Sequence, residues 1–194
     1  MKKQRLALFV SGTGSNALNI ATYFWQHHSI EIGLLVSNNA TSPALRAFEK
    51  MLVPCVVIDN TQAADGKFLI DLCLSHSIDH VVLAGYLRLI PASFILVFSD
   101  RIFNIHPALL PKFGGKGMFG NRVHTAVLEA GDTESGITIH LVNEHFDEGR
   151  TLAQFHCSVN ENDTVESLRM KVQALEHAHY PEVIEQSLHK DTHV

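Results

Sequence analysis

At 194 residues the chain is long enough for one α/β domain with a substantial core, and no composition shift or low-complexity run divides it. Hydrophobic residues make up 46% and charged residues 18%, ordinary for a globular protein and far from disordered composition. The net charge of −5, with no Lys/Arg-rich stripe, argues against a nucleic-acid partner, and no segment approaches the roughly 20 apolar residues that span a bilayer.

The start, MKKQRLALFV, places cations before an apolar run, but the run breaks at Ser11-Gly12 and is too short for a signal peptide. Cys55, Cys73 and Cys157 are odd in number, widely spaced and set in apolar surroundings, as expected of reduced core thiols. The expectation is a soluble, cytoplasmic protein that meets no membrane.

Residues 5–10 read as a buried strand ended by Gly, and residues 17–28 follow with helical spacing of Leu18, Ala21, Phe24 and Trp25. EIGLLVS, SPALRAFEKM, PCVVID, KFLIDLCLSH and DHVVLAG continue the alternation of strand and helix. RIFNIH is a further strand, and the Pro- and Gly-rich PALLPKFGGKGMFGN after it is a loop. A helix near 122–130, the strand GITIHLV, a turn at Asp147-Glu148-Gly149, the strand TLAQFHCSV and a long helix from Asp163 to about Leu188 complete the chain. Asp163 and Glu166 have capping-box spacing at the start of that helix, with Thr164 as the competing cap. The alternation predicts a single α/β domain over residues 1–194: a mostly parallel twisted sheet with helices on both faces. Its first half, 1–100, is Rossmann-like and phosphate-binding, and 101–194 forms the second half. Ligands in such sheets gather at the carboxyl ends of the strands.

Three groups of residues could carry chemistry. Thr13, Gly14, Ser15 and Asn16 lie between the first strand and the first helix, where free amides and the helix dipole suit a phosphate. The competing reading is a plain turn with Ser15 or Asn16 capping the helix. The glycines also satisfy GxGxxA, but the second strand ends in Ser37-Asn38-Asn39 without a carboxylate for a ribose, so NAD is not expected. Asn104 and His106, alternate residues at a strand end, pair an amide donor with an imidazole and suit an oxyanion formed during acyl transfer. With 13 histidines in the chain, most, including His27, His28, His189 and His193, are ordinary polar residues. Asp147, by local sequence alone, is a turn residue before Gly. His177 and His179 are two apart on a helix and diverge, so no metal is expected.

SGTGSN, VVLAGYLRLI, NIHPALLPKF, GITIHLV, DEGRTLAQ and VQALEHAHYP together resemble the folate-dependent formyltransferase family, in particular its glycinamide ribonucleotide formyltransferase branch, in order and spacing and nearly end to end. The resemblance implies that 10-formyltetrahydrofolate is the cosubstrate and that Asn104, His106 and Asp147 form the catalytic trio, with Asp147 favouring a charged His106. It implies that Thr13, Gly14, Ser15 and Asn16, with Gln173 and Glu176 on one helix face, hold the ribonucleotide. Leu87, Arg88, Leu89 and Ile90, with Asn104, Asn143, Glu144, His145, Phe146 and Asp147, would line the folate cleft, mostly through backbone groups. For Leu87, Leu89 and Ile90 the competing reading is core. The partners implied are small molecules, and the protein is a monomer or homodimer.

Two departures from the family pattern stand out. Residues 113–120 are FGGKGMFG where relatives run quickly to a His-containing helix, which suggests a mobile loop beside the site. Between Asn60 and Phe68 the nearest cation for a folate glutamate tail is Lys67. The alternatives are a formyltetrahydrofolate hydrolase, which normally carries an amino-terminal regulatory domain where this chain begins at strand one, and a non-catalytic folate- or nucleotide-binding protein. A methionyl-tRNA formyltransferase fits less well, because it must hold RNA and this chain is acidic.

Overall fold

The computed structural model describes residues 3–190. It divides into two compact units, one up to Asn104 and one from Ile105 on.

The first unit alternates β1 (Gln4–Val10), α1 (Ser15–Tyr23), β2 (Ile30–Ser37), α2 (Pro43–Lys50), β3 (Cys55–Val57), α3 (Asn60–Ala64), α4 (Gly66–Ser75), β4 (His80–Leu83), α5 (Ala92–Val97) and the start of β5 (Ile102–His106). The strands lie in the order β3-β2-β1-β4-β5 and are parallel throughout, which gives the parallel α/β arrangement expected from the alternation. Leu6 to Val10 and Leu34 to Val36 are fully buried, as strands covered on both faces require. Order reverses between β1 and β4. Right-handed crossovers therefore set α1 and α2, which pack together, on one face and α4 with α5 on the other. Ligand crevices open at such a reversal, beyond the carboxyl ends of β1 and β4.

Several boundaries differ from the sequence reading. Helix α1 ends at Tyr23, and Gln26 with φ 60° begins the turn into β2, so Trp25 lies beyond the helix and is exposed. The short helices α3 and α5 had no periodic signal, because one turn of helix is too short to show one. A capping box at Asp59 and Gln62 starts α3. Only Cys73 is a core thiol, its pKa pushed up to about 12 by burial; Cys55 and Cys157 are half-buried.

The second unit holds α6 (Asn121–Glu129), β6 (Glu134–Leu141), β7 (Thr151–Ser158) and α7 (Val165–Lys190). Strands β6 and β7 are antiparallel, and α7 packs on both and on α6. Val123, Val127, Ile137, Ile139, Leu168, Val172, Tyr180 and Ile184 form the core. Thr164, not Asp163, caps α7: the Ser167 amide donates to Thr164 Oγ1 at 3.1 Å and the Thr164 amide to Ser167 Oγ at 2.9 Å. Asp163 instead receives Lys171 and the Asn160 amide, while Glu166 pairs with Arg169. Among the described residues no helix is long and apolar enough to cross a membrane.

Candidate active site

In the first unit two segments lie at the reversal point. The turn Ser11–Gly14 follows β1, and Ala84–Ile90 follows β4. Gly14 is the N-cap of α1 in the left-handed region (φ 74°), and a Cβ there would lie 2.5 Å from Ala44 Cβ on α2, so only glycine fits. No side chain caps α1, which removes the reading of Ser15 or Asn16 as a cap and leaves the helix start aimed beyond β1. Thr13 is exposed, Ser15 and Asn16 half-buried. In the second segment Ile90 is buried, but Leu87 and Leu89 are 56% and 55% exposed and so are not core. Arg88 is exposed beside them. Lys67 pairs with Asp71 at 2.6 Å on α4. Asn104 is half-buried and pairs in register with Leu83 at the carboxyl end of β4.

In the second unit His106, at the end of β5, is 4% exposed. Its Nε2 lies 2.8 Å from the Phe113 carbonyl, which assigns the proton of the neutral ring to Nε2. Nδ1 then faces Asp147 Oδ2 at 3.4 Å. Two acceptors would meet there unless a proton lies between them, so the geometry suits an imidazolium–carboxylate pair. Burial acts the other way: desolvation lowers the His106 pKa, opposed by the Asp147 carboxylate and the Phe113 carbonyl, and the net displacement is downward. Asp147 thus favours the charged ring, and desolvation opposes it.

Asp147 has φ 58°, a backbone region that Asp tolerates in turns, and its Oδ2 accepts from the Gly115 amide at 2.9 Å. Behind it, Gly149 passes so close to β6 that a Cβ would lie 1.7 Å from the Leu141 carbonyl. Asn143 closes the same loop, donating from Nδ2 to Glu148 O (3.2 Å) and accepting from the His145 amide (2.9 Å). Glu144, His145 and Phe146 are exposed on it.

A residue that sequence reasoning missed completes the cluster. His140 on β6 is 2% exposed; its Nδ1 lies 3.0 Å from the Leu141 carbonyl and its Nε2 faces Asp147 Oδ1 at 3.8 Å. Desolvation lowers its pKa as well. Alternation along GITIHLV puts His140 on the side of Thr138, and that was the available signal. Thr138 Oγ1 donates to Ala108 O (2.7 Å) and accepts from the Leu110 amide (2.9 Å) and Gln154 Nε2 (2.9 Å), which fixes the ALLP segment after His106.

The glycine-rich stretch is tied to the site at its start, through Phe113 O and the Gly115 amide, with left-handed backbone at Phe113, Gly115, Gly117 and Gly120. On α7, Gln173 and Glu176 are half-buried on one face with Arg169, whose guanidinium pairs with Glu166 and reaches Gln173 Oε1 at 3.5 Å. Its spacing of four and seven from Gln173 and Glu176 sets all three on one helix face.

A family model described as formyl transferase matches residues 4–184. The chloroplastic phosphoribosylglycinamide formyltransferase of Arabidopsis thaliana is 42% identical over 195 residues, covering 94% of this chain and 65% of the relative. The phosphoribosylglycinamide formyltransferase of Bacillus subtilis (strain 168) is 32% identical over 190 residues and covers 95% of each. A crystal structure of phosphoribosylglycinamide formyltransferase from Bacillus halodurans superposes with a TM-score of 0.86 at 32% identity, covering 95% of each chain. The chain spans just under two thirds of the length of the Arabidopsis relative. With a family model matched over nearly all of its length and these relatives beside it, the chain belongs to the formyl transferase family.

Proposed function

We propose that this chain transfers the formyl group of 10-formyltetrahydrofolate to the amine of 5-phosphoribosyl-glycinamide, a step of purine biosynthesis. The observation that carries the reading is the Asp147 carboxylate, held by the Gly115 amide and faced by His106 Nδ1 and His140 Nε2. The names of the plant and bacterial relatives point the same way. Thr13 to Asn16 take the phosphate at the uncapped start of α1, and Gln173 and Glu176 the remainder of the ribonucleotide. Leu87 to Ile90 and Asn143 to Phe146 receive the folate.

In the reaction the amine nitrogen attacks the formyl carbon, and the carbonyl electron pair moves onto the formyl oxygen. The Asn104 amide and a His106 N–H stabilise that oxyanion, each worth on the order of 3 kcal/mol where water is excluded. Collapse breaks the bond to the folate nitrogen, and the amine proton passes through Asp147 to the departing nitrogen. Both His106 nitrogens are engaged, so one contact yields to substrate, and that contact is the one with the Phe113 carbonyl, at the head of a glycine-rich stretch. Developing negative charge raises the His106 pKa and restores the imidazolium that burial disfavours.

The test is incubation with 10-formyltetrahydrofolate with and without phosphoribosyl glycinamide. Folate consumption that requires the ribonucleotide and yields its formylated amine is the expected result. Formate released at the same rate without the ribonucleotide identifies a hydrolase, and no turnover identifies a binding protein.

A further inference from the structure

Ser11 is the last residue before the glycine turn, and it is bonded to both segments at the reversal point of the sheet. Its amide donates to Gly85 O at 3.1 Å, and its hydroxyl oxygen accepts from the Leu87 amide at 2.8 Å. Its carbonyl accepts from Asn39 Nδ2 at 3.3 Å. With the Asn38 amide in the orientation that satisfies its neighbours, Asn38 Nδ2 donates to Ser11 Oγ (2.6 Å) and Val10 O (3.3 Å), while its oxygen accepts from Arg88 Nε (3.2 Å). One serine and one asparagine thus hold Gly85, Leu87 and Arg88 against the end of β1.

We infer that Ser11, with Asn38, is a positioning residue that ties the folate-receiving segment 87–90 to the phosphate-receiving turn, so that filling the turn tightens folate binding. The inference rests on the assignment of those two segments proposed above. A hydroxyl has two acceptor lone pairs and one proton. The Leu87 amide and Asn38 Nδ2 take the lone pairs, which leaves the proton available to an anion in the adjoining turn. A hydroxyl that donates to an anion becomes a better acceptor, so the Leu87 bond strengthens when phosphate arrives. Leu87 and Leu89 are exposed and gain no order from core packing, so these polar bonds set the course of their backbone. Ser42 provides a contrast: it is buried and donates to Gly12 O at 2.7 Å, holding the same turn from the side of α2.

The experiment is titration with tetrahydrofolate, which has no formyl group to transfer, with and without phosphoribosyl glycinamide. In the parent protein the ribonucleotide tightens tetrahydrofolate binding about fivefold, the scale of one hydrogen bond. Ser11→Ala brings that ratio close to one, with the larger loss falling on the folate. Ser42→Ala weakens the ribonucleotide and leaves the ratio as in the parent. Asn38→Ala, which removes the Arg88 acceptor and one Ser11 donor, lowers the ratio in the same direction and serves if Ser11→Ala fails to fold. A parent-like ratio in folded Ser11→Ala or Asn38→Ala, or a parent ratio of one with both ligands bound, overturns the inference. Failure of the parent to bind either ligand overturns the functional reading beneath it.

Discussion

Asp147 combines a backbone and a side-chain demand in one residue, and the two can be separated. The left-handed φ of 58° is accepted by Asn as well as Asp, and an Asn oxygen can still accept from the Gly115 amide. Asp147→Asn therefore keeps the turn and loses only the charge. With its oxygen kept on the Gly115 amide, its NH2 would face His140 Nε2, and His106 Nδ1 would face a neutral amide oxygen in place of a carboxylate. Because the carboxylate is what raises the His106 pKa against burial, removing it lowers that pKa further. Turnover should fall about a hundredfold or more with circular dichroism unchanged. The residual activity, if it needs the charged ring, should disappear at a lower pH than in the parent. Measured turnover against pH decides it: a near-normal rate with an unshifted profile removes Asp147 from the chemistry.

At the scale of elements, the two well-placed helices start in opposite ways. Helix α7 has a reciprocal Thr164–Ser167 cap, so Thr164→Ala should destabilise the protein by about 1 kcal/mol in urea unfolding. Glu166→Ala loses only an exposed i,i+3 pair with Arg169 and should cost less than about 0.5 kcal/mol. The reverse order of costs would mean that Glu166 is the effective cap. Helix α1 has a glycine instead of a capping side chain, and its start is open to an anion. Gly14→Ala should fail on two counts, a forbidden φ and a clash with Ala44, and lose ribonucleotide binding together with stability.

For the molecule as a whole, the buried histidines set the response to acid. His124 on α6 is 3% exposed with its Nδ1 unpartnered, and burial, with Arg169 and His106 nearby, pushes its pKa down to about 4. His106 and His140 are displaced in the same direction. A histidine with a depressed folded pKa binds its proton more readily when unfolded. Its contribution is present above the unfolded value near 6.5 and is lost as pH falls toward the folded value. Stability should therefore decline between pH 6.5 and 4. His124→Gln should remove up to about 2 kcal/mol of the pH 7 to pH 5 difference in urea unfolding. An identical pH dependence in that variant would show that His124 titrates normally in the folded protein.

The sequence by itself determined the class of fold, because the periods of buried strand and amphipathic helix are written locally, from RLALFV to DHVVLAG. Asn104 and His106 were legible as alternate residues at a strand end, and Gly14 as a residue of a tight turn. Other features depended on groups far apart in the chain. His140 becomes part of the site only because β6 sets it 3.8 Å from Asp147, on a separate loop. Thr164 caps α7 while Asp163 is engaged by Lys171, about two helical turns away. The desolvation that opposes the charge on His106 was not legible, since it depends on everything packed around a ring and a linear pattern carries no measure of it. Ser11 looked like part of a glycine turn; that it also receives the Leu87 amide, 76 residues away, was decided by the side-by-side pairing of β1 and β4 in the parallel sheet.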